Sequence, residues 1–269
     1  MQGGQRIPFA VVSGNTNDEV RQNITDNRAA GIRSLYTIDM TTAKAPISQI
    51  TAFIDDVKQL FPEVNGFFLI NIDVASPVQL QQMREIHKYI REKYPEHLIV
   101  ANEGSELVQQ EMANYADIHI ISNVTADTYI NHYKVPSGAW ENNVANGNRI
   151  MHMVSDASKE QYDEIIRLSR TRNAQWLFIN DNVGSANNIP VDFVDLITKI
   201  TGLGMPQWPV TPPFVTPSAT PTTAPTTAPT SGPAPTGTTQ PTAAPTVAPT
   251  TAPTTAPTAA PTAGPTGQP

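Results

Sequence analysis

The sequence predicts an α/β fold built on a parallel sheet, and three observations carry that expectation. Seven apolar, β-branched runs recur along the chain, and each is followed by a stretch of helical period. Strict alternation of strand and helix implies parallel strands with the helices outside. Runs such as Gly66-Phe67-Phe68-Leu69-Ile70 are apolar without a break, which implies burial on both faces of the sheet.

The strands are expected at 7–13, 32–38, 66–72, 97–101, 117–123, 149–155 and 175–180. A surface helix follows the first strand, and Gly31 stands where its C-cap belongs. The next helix is the clearest, with Ile47, Ile50, Phe53, Ile54, Val57, Leu60 and Phe61 spaced by threes and fours. Ser76-Pro77 then supplies an N-cap and a first-turn proline ahead of Val78, Met83, Ile86, Ile90 and Tyr94. Shorter helices are expected over 105–115 and 125–134. The last two cover 159–170 and 191–200, with Gly202 at the final C-cap. Seven such units fit an open doubly wound sheet. They also fit a closed barrel, which ordinarily has eight units and about 250 residues. Counting alone favours neither.

This body ends near residue 205. From Pro206 to Pro269 the chain has 18 Pro and 20 Thr and no Asp, Glu, Lys or Arg, so all 17 basic and 24 acidic residues lie in 1–205. Pro lacks an amide donor, and Thr and Ala offer little apolar area. Burial there cannot offset the entropy of ordering, so 206–269 is expected to be an extended, disordered stalk. Thr beside Pro is also the composition of O-glycosylated, mucin-like stalks.

Composition excludes several functions. The acidic body has no Lys/Arg blocks, so nucleic acid is not an expected partner. No apolar run approaches the roughly 18 residues of a membrane span. Without Cys there is no disulfide, thiolate nucleophile or Cys-ligated metal. His87, His97, His119, His132 and His152 form no metal-binding spacing, and no dinucleotide, P-loop or Gly-x-Ser-x-Gly motif occurs. No metal and no cofactor is therefore expected.

Several segments in order resemble the spherulin-4 (spherulation-specific) family, which is related to the glycoside hydrolase family 135 endo-α-1,4-galactosaminidases. They are Ile7-Pro8-Phe9-Ala10-Val11-Val12-Ser13-Gly14-Asn15, Ser34-Leu35-Tyr36-Thr37 and Phe61-Pro62-Glu63-Val64-Asn65-Gly66-Phe67-Phe68-Leu69. Val100-Ala101-Asn102-Glu103-Gly104-Ser105, Ala116-Asp117 and Leu177-Phe178-Ile179-Asn180-Asp181-Asn182 complete the set. The resemblance covers about residues 6–200. It implies a (β/α)8 barrel that here lacks the family's first βα unit, with Met1 at an internal start or a truncation. It also implies amino-sugar polysaccharide as the partner and a secreted, cell-wall or cell-surface setting.

The family's acids are replaced in this chain. Where the resemblance places an Asp-Glu pair, the sequence reads Ile70-Asn71, and a further Glu position falls on Ser122 or Asn123. Asn and Ile cannot transfer a proton near neutral pH, so a non-catalytic barrel that binds polysaccharide is expected. The alternative is a hydrolase with relocated carboxylates drawn from Asp39, Asp73, Glu103 and Asp181. Such a pair would sit about 5–10 Å apart across one cleft. The same four residues also read as solvated rim groups or helix caps.

Residues expected to line a sugar site are Tyr36, Asn71, Asn102, Asn123, Trp140 and Asn180. Trp140 lies in a long loop, where an aromatic ring stacks on a sugar or lids the core. Of two N-glycosylation sequons, Asn23-Ile24-Thr25 falls on a surface helix and is the expected acceptor. Asn123-Val124-Thr125 sits at a strand end and is expected to stay unmodified.

Overall fold

A computed structural model of the chain describes residues 7–14, 17–42, 46–181 and 192–201. The expected stalk, 206–269, lies outside the described residues, as do Gly202 and Val191. Seven strands form one sheet: β1 (Phe9–Val12), β2 (Arg33–Asp39), β3 (Gly66–Ile70), β4 (Leu98–Asn102), β5 (Ile118–Thr125), β6 (Ile150–Ser155) and β7 (Trp176–Ile179). Their order in space is their order in sequence, and each neighbouring pair is parallel. A doubly wound sheet reverses its order at a switch point. The unbroken order therefore removes that alternative and leaves a partial barrel.

Side-chain alternation divides the core into two layers. Leu35, Phe68, Leu98, Val100, Ile118, Ile120, Met151 and Trp176 pack together inside the sheet, with Phe9, Ile70, Met153 and Phe178 against them. These are the lumen-facing positions of all seven strands. The residues between them pack outward against the helices; Ile38, Phe67, Leu69, Ile99, Ala101, Ile121 and Ile150 belong to that outer core. The sheet curls far enough for the Phe9 and Trp176 rings to lie 6.4 Å apart, although β1 and β7 share no ladder among the described residues.

The outer layer contains α1 (Asn17–Ala29), α2 (Ile47–Leu60), α3 (Pro77–Lys93), α4 (Tyr162–Thr171) and α5 (Phe193–Thr201). Gly31 ends α1 at φ +74°, a conformation that suits a residue without Cβ. Ser76 caps α3 by accepting from the Gln79 amide at 3.3 Å, with Pro77 in the first turn. The apolar stripe of α2 buries Ile50, Ile54 and Val57. A buried ion pair anchors α3 to the sheet. Arg91 Nη2 reaches both oxygens of Asp117 at 2.7 Å, and Asp117 also accepts from the Ile99 amide at 2.8 Å.

Two expected helices are shorter than their sequence pattern. Residues 105–115 hold one 3₁₀ turn, Gln110–Asn114, and 125–134 hold one π turn, Thr128–His132. In the first segment, the Leu107 amide donates to Glu141 at 2.8 Å, and Gln110 Nε2 donates to the same carboxylate at 3.0 Å. The loop before β6 thus ties this segment down through Glu141.

Candidate functional site

The C-terminal ends of barrel strands are where such folds place their chemistry. Here that rim is rich in amides. Alternation from Leu98 and Val100 carries Asn102 to the lumen face, and alternation from Trp176 and Phe178 does the same for Asn180, which is buried. Asn180 is held by its backbone, whose amide donates to Val154 and whose carbonyl accepts from Ala157.

Strand β5 needs a further step. Its register against β6 shifts between Ile120 and Ser122, so Ile121 is an extra residue. Below the bulge Ile120 pairs with lumen-facing Met151; above it Asn123 pairs with lumen-facing Met153. Ser122 pairs with outward-facing His152 and is buried. The bulge therefore presents Asn123 to the mouth rather than Ser122, and Asn123 is exposed.

Asn71 follows β3 in a left-handed conformation, φ +60°, and its amide donates to Asp39 Oδ1 at 3.0 Å. The same oxygen accepts from the Thr41 amide and the Thr41 hydroxyl, both at 2.8 Å. These bonds, Asn71 first, hold the Asp39 carboxyl below its usual range. Asp39 is thus a stabilised carboxylate, unsuited to donate a proton. Asp73 accepts from the Ala75 amide at 3.0 Å as a local turn cap, while its own amide donates to Gln79. Asp181 is half-buried after β7. Burial and then its charge push the Tyr162 hydroxyl up.

Glu103 is elsewhere. It continues the outward face of β4 after Ile99 and Ala101, and its side chain has no exposed surface. Oε1 lies 2.7 Å from His119 Nδ1. Burial pushes this carboxyl up, against the charge and hydrogen bond of His119. It points away from the mouth. The Glu103 carboxyl thus lies behind the sheet rather than in the lumen.

Two expected sugar-stacking aromatics also face outward. Tyr36 stacks on Phe61 with centroids 5.7 Å apart and tilts against Phe53 on α2. Trp140 presents its face region to His119, edge-on at 5.1 Å, and carries the Arg149 guanidinium at 5.3 Å. Both belong to the outer core. Asn23 is exposed on α1, and the Thr25 hydroxyl bonds the Arg21 carbonyl at 2.8 Å.

Sequence reading passed over Asp156, an exposed carboxyl at φ +55° just past β6. It also missed a buried cluster behind β5 and β6. There Tyr129 Oη lies 2.7 Å from His152 Nδ1, and Arg172 sits over the Tyr129 and Tyr133 rings at 4.5 and 4.8 Å. The signal available was weak: a histidine in mid-strand and aromatics four residues apart. Among the described residues no group of three or more His, Asp or Glu is placed to hold a metal, and no helix is long and apolar enough to cross a membrane.

Comparison with known proteins finds solved structures of similar architecture. The fold is similar to that of Aspergillus clavatus Sph3, solved in complex with GalNAc. The TM-score is 0.54 at 14% identity, over 70% of this chain and 79% of that one. Two further structures align at lower scores. The endo-beta-N-acetylglucosaminidase of Cordyceps militaris gives 0.49 at 11% identity, over 73% of this chain and 80% of that one. The glycoside hydrolase domain of PelA from Pseudomonas aeruginosa gives 0.40 at 12% identity, over 66% and 96%. At these identities the likeness is one of fold. No family model and no curated protein matches the sequence.

Proposed function

We propose that this chain is a spherulin-4-like barrel that binds amino-sugar polysaccharide at the C-terminal rim of its strands and does not hydrolyse it. One observation carries the reading: the lumen-facing residues Asn102 and Asn123 are amides, and the Asp39 carboxyl at the end of β2 is held below its usual range by Asn71 and Thr41. Glycoside hydrolysis ordinarily needs one carboxylic acid kept protonated beside the leaving oxygen, and a second carboxylate across the bond. Here Asn102 and Asn123 supply lumen-facing amides, Asn71 is engaged with Asp39, and the raised Glu103 lies behind the sheet. Amides donate and accept hydrogen bonds at once, as sugar hydroxyls and N-acetyl groups require, but they carry no transferable proton.

In this reading the chain works outside the cell, as a wall-associated barrel displayed on a glycosylated stalk spanning 206–269. A secreted preparation should then carry an N-glycan on Asn23 and none on Asn123. Peptide mass mapping before and after enzymatic deglycosylation checks this.

The functional test incubates the protein with an α-1,4-linked galactosamine polymer and measures both bound protein and new reducing ends. Binding without release is expected. Removing one sugar-bonding amide at a time, as Asn102→Ala or Asn123→Ala, should raise Kd about five- to tenfold, since one neutral hydrogen bond contributes about 1 kcal/mol. Reducing ends that disappear in Asp73→Asn or Asp39→Asn would instead establish a hydrolase with relocated acids.

A further inference from the structure

Glu103 and His119 form a buried pair that the proposed sugar site does not itself use. Both side chains have no exposed surface, and Glu103 Oε2 has no hydrogen-bond partner. The pair lies directly behind the mouth. Asn102 precedes Glu103 and faces the lumen. Gly104 follows it at φ +68°, and the Gly104 amide donates to Ile120 O at 2.8 Å as the last rung between β4 and β5. A Cβ on Gly104 would meet Asn123 Cβ at 4.0 Å. One bond behind the sheet thus ties the end of β4 to β5, four residues before Asn123.

We infer that Glu103 is a positioning residue for the mouth: Glu103 and His119 hold one proton between Oε1 and Nδ1, and that bond fixes Asn102 and Asn123. The second half rests on the sugar-binding reading above; the proton assignment does not. The chemistry of the neighbours assigns the proton. His119 Nε2 lies 3.3 Å from the Ala113 carbonyl, which also accepts from Arg149 Nη2 at 2.5 Å. A carbonyl cannot donate, so Nε2 carries a hydrogen. Neutral imidazole has one ring hydrogen, so Nδ1 is then either a bare acceptor or the second N–H of an imidazolium. A bare Nδ1 facing an ionised carboxylate at 2.7 Å would be repulsive. The contact therefore contains a proton, either as a carboxylic acid donating to Nδ1 or as an imidazolium donating to the carboxylate, and the pair is neutral overall.

Other charged groups around the pair are engaged. From the loop before β6, Arg149 bonds the carbonyls of Ala113 and Ala116, and Glu141 accepts from Leu107 and Gln110. From α3, Arg91 is paired with Asp117, and His87 packs against the Tyr115 ring. None of them bonds Glu103, whose carboxyl meets His119 and the backbone at Glu103 and Ile120. Desolvation favours the protonated carboxyl, in keeping with a neutral pair.

Glu103→Gln and Glu103→Leu test the inference. A Gln amide can still donate to Nδ1, whereas Leu leaves Nδ1 bare. Imidazole nitrogen NMR on the wild type should show His119 with a hydrogen on Nε2. Amide exchange at Gly104 should stay protected in Glu103→Gln and accelerate at least about tenfold in Glu103→Leu. Kd for the galactosamine polymer should follow the same order: near wild type in Gln and raised about tenfold in Leu. An Nδ1–H tautomer with bare Nε2 in the wild type overturns the proton assignment. Equal Gly104 protection in all three proteins overturns the positioning role. A wild type that binds no polymer overturns the sugar reading alone, because the NMR and exchange results still decide the rest.

Discussion

Gly66→Ala is expected to abolish the folded barrel. Gly66 opens β3 between Leu35 on β2 and Leu98 on β4. A Cβ there would lie 2.1 Å from the Leu98 carbonyl oxygen and 2.8 Å from both the Leu98 nitrogen and Leu35 Cδ2. The nearest obstacle is backbone. Leu98 cannot retreat freely, because its amide is tied to Asn65 O at 3.0 Å and its side chain is buried in the lumen. Overpacking of a core costs about 1–3 kcal/mol where side chains can yield. Against fixed backbone the loss should exceed about 4 kcal/mol, a large share of a domain's total stability. Circular dichroism and thermal unfolding of Gly66→Ala, with exposed Val144→Ala as control, check this. A cooperative melt within a few degrees of wild type would contradict it.

Mild acid is expected to weaken the protein steeply. Burial draws His87 down to about 4 and His152 down to about 3, in each case aided by a nearby guanidinium, Arg91 or Arg172. In the unfolded chain both would titrate near 6.5. A depressed folded pKa gives stability that is present above the unfolded value and lost as pH falls towards the folded one. At pH 5 the unfolded state therefore holds protons that the folded state refuses. Each histidine costs about 2 kcal/mol there, about 4 kcal/mol together. His97 is also drawn down to about 4, but it is only half-buried and should add less. Glu103 opposes them, since its raised carboxyl gains stability as pH falls. Urea unfolding at pH 7 and pH 5 measures the sum. His152→Gln should reduce the pH-dependent loss by roughly half, and an unchanged loss would remove His152 from the account.

Much of the fold was legible in the sequence because a strand buried on both faces leaves an unbroken apolar run, and all seven such runs are strands. Their ends were less so: β1 is Phe9–Val12 rather than 7–13, because a strand stops where its neighbour's ladder stops. The helix expected over 105–115 was misjudged for a physical reason. Leu107 and Gln110 bond a carboxylate more than thirty residues away, and no local window contains Glu141. The rim was legible as a list of asparagines but not as a geometry. Counting by twos from Leu98 turns Glu103 outward, yet only the structure brings His119 against it. The same applies to Tyr36, whose partners Phe53 and Phe61 lie on a helix that the strand itself does not announce.

Ile121 makes β5 tolerant of a change in chain length. Deleting that single codon would leave Ile120 beside Met151, Ser122 beside His152 and Asn123 beside Met153, so a regular ladder would present the same faces. The amide chemistry of the mouth would survive the loss, and the sequon acceptor would stay where it is.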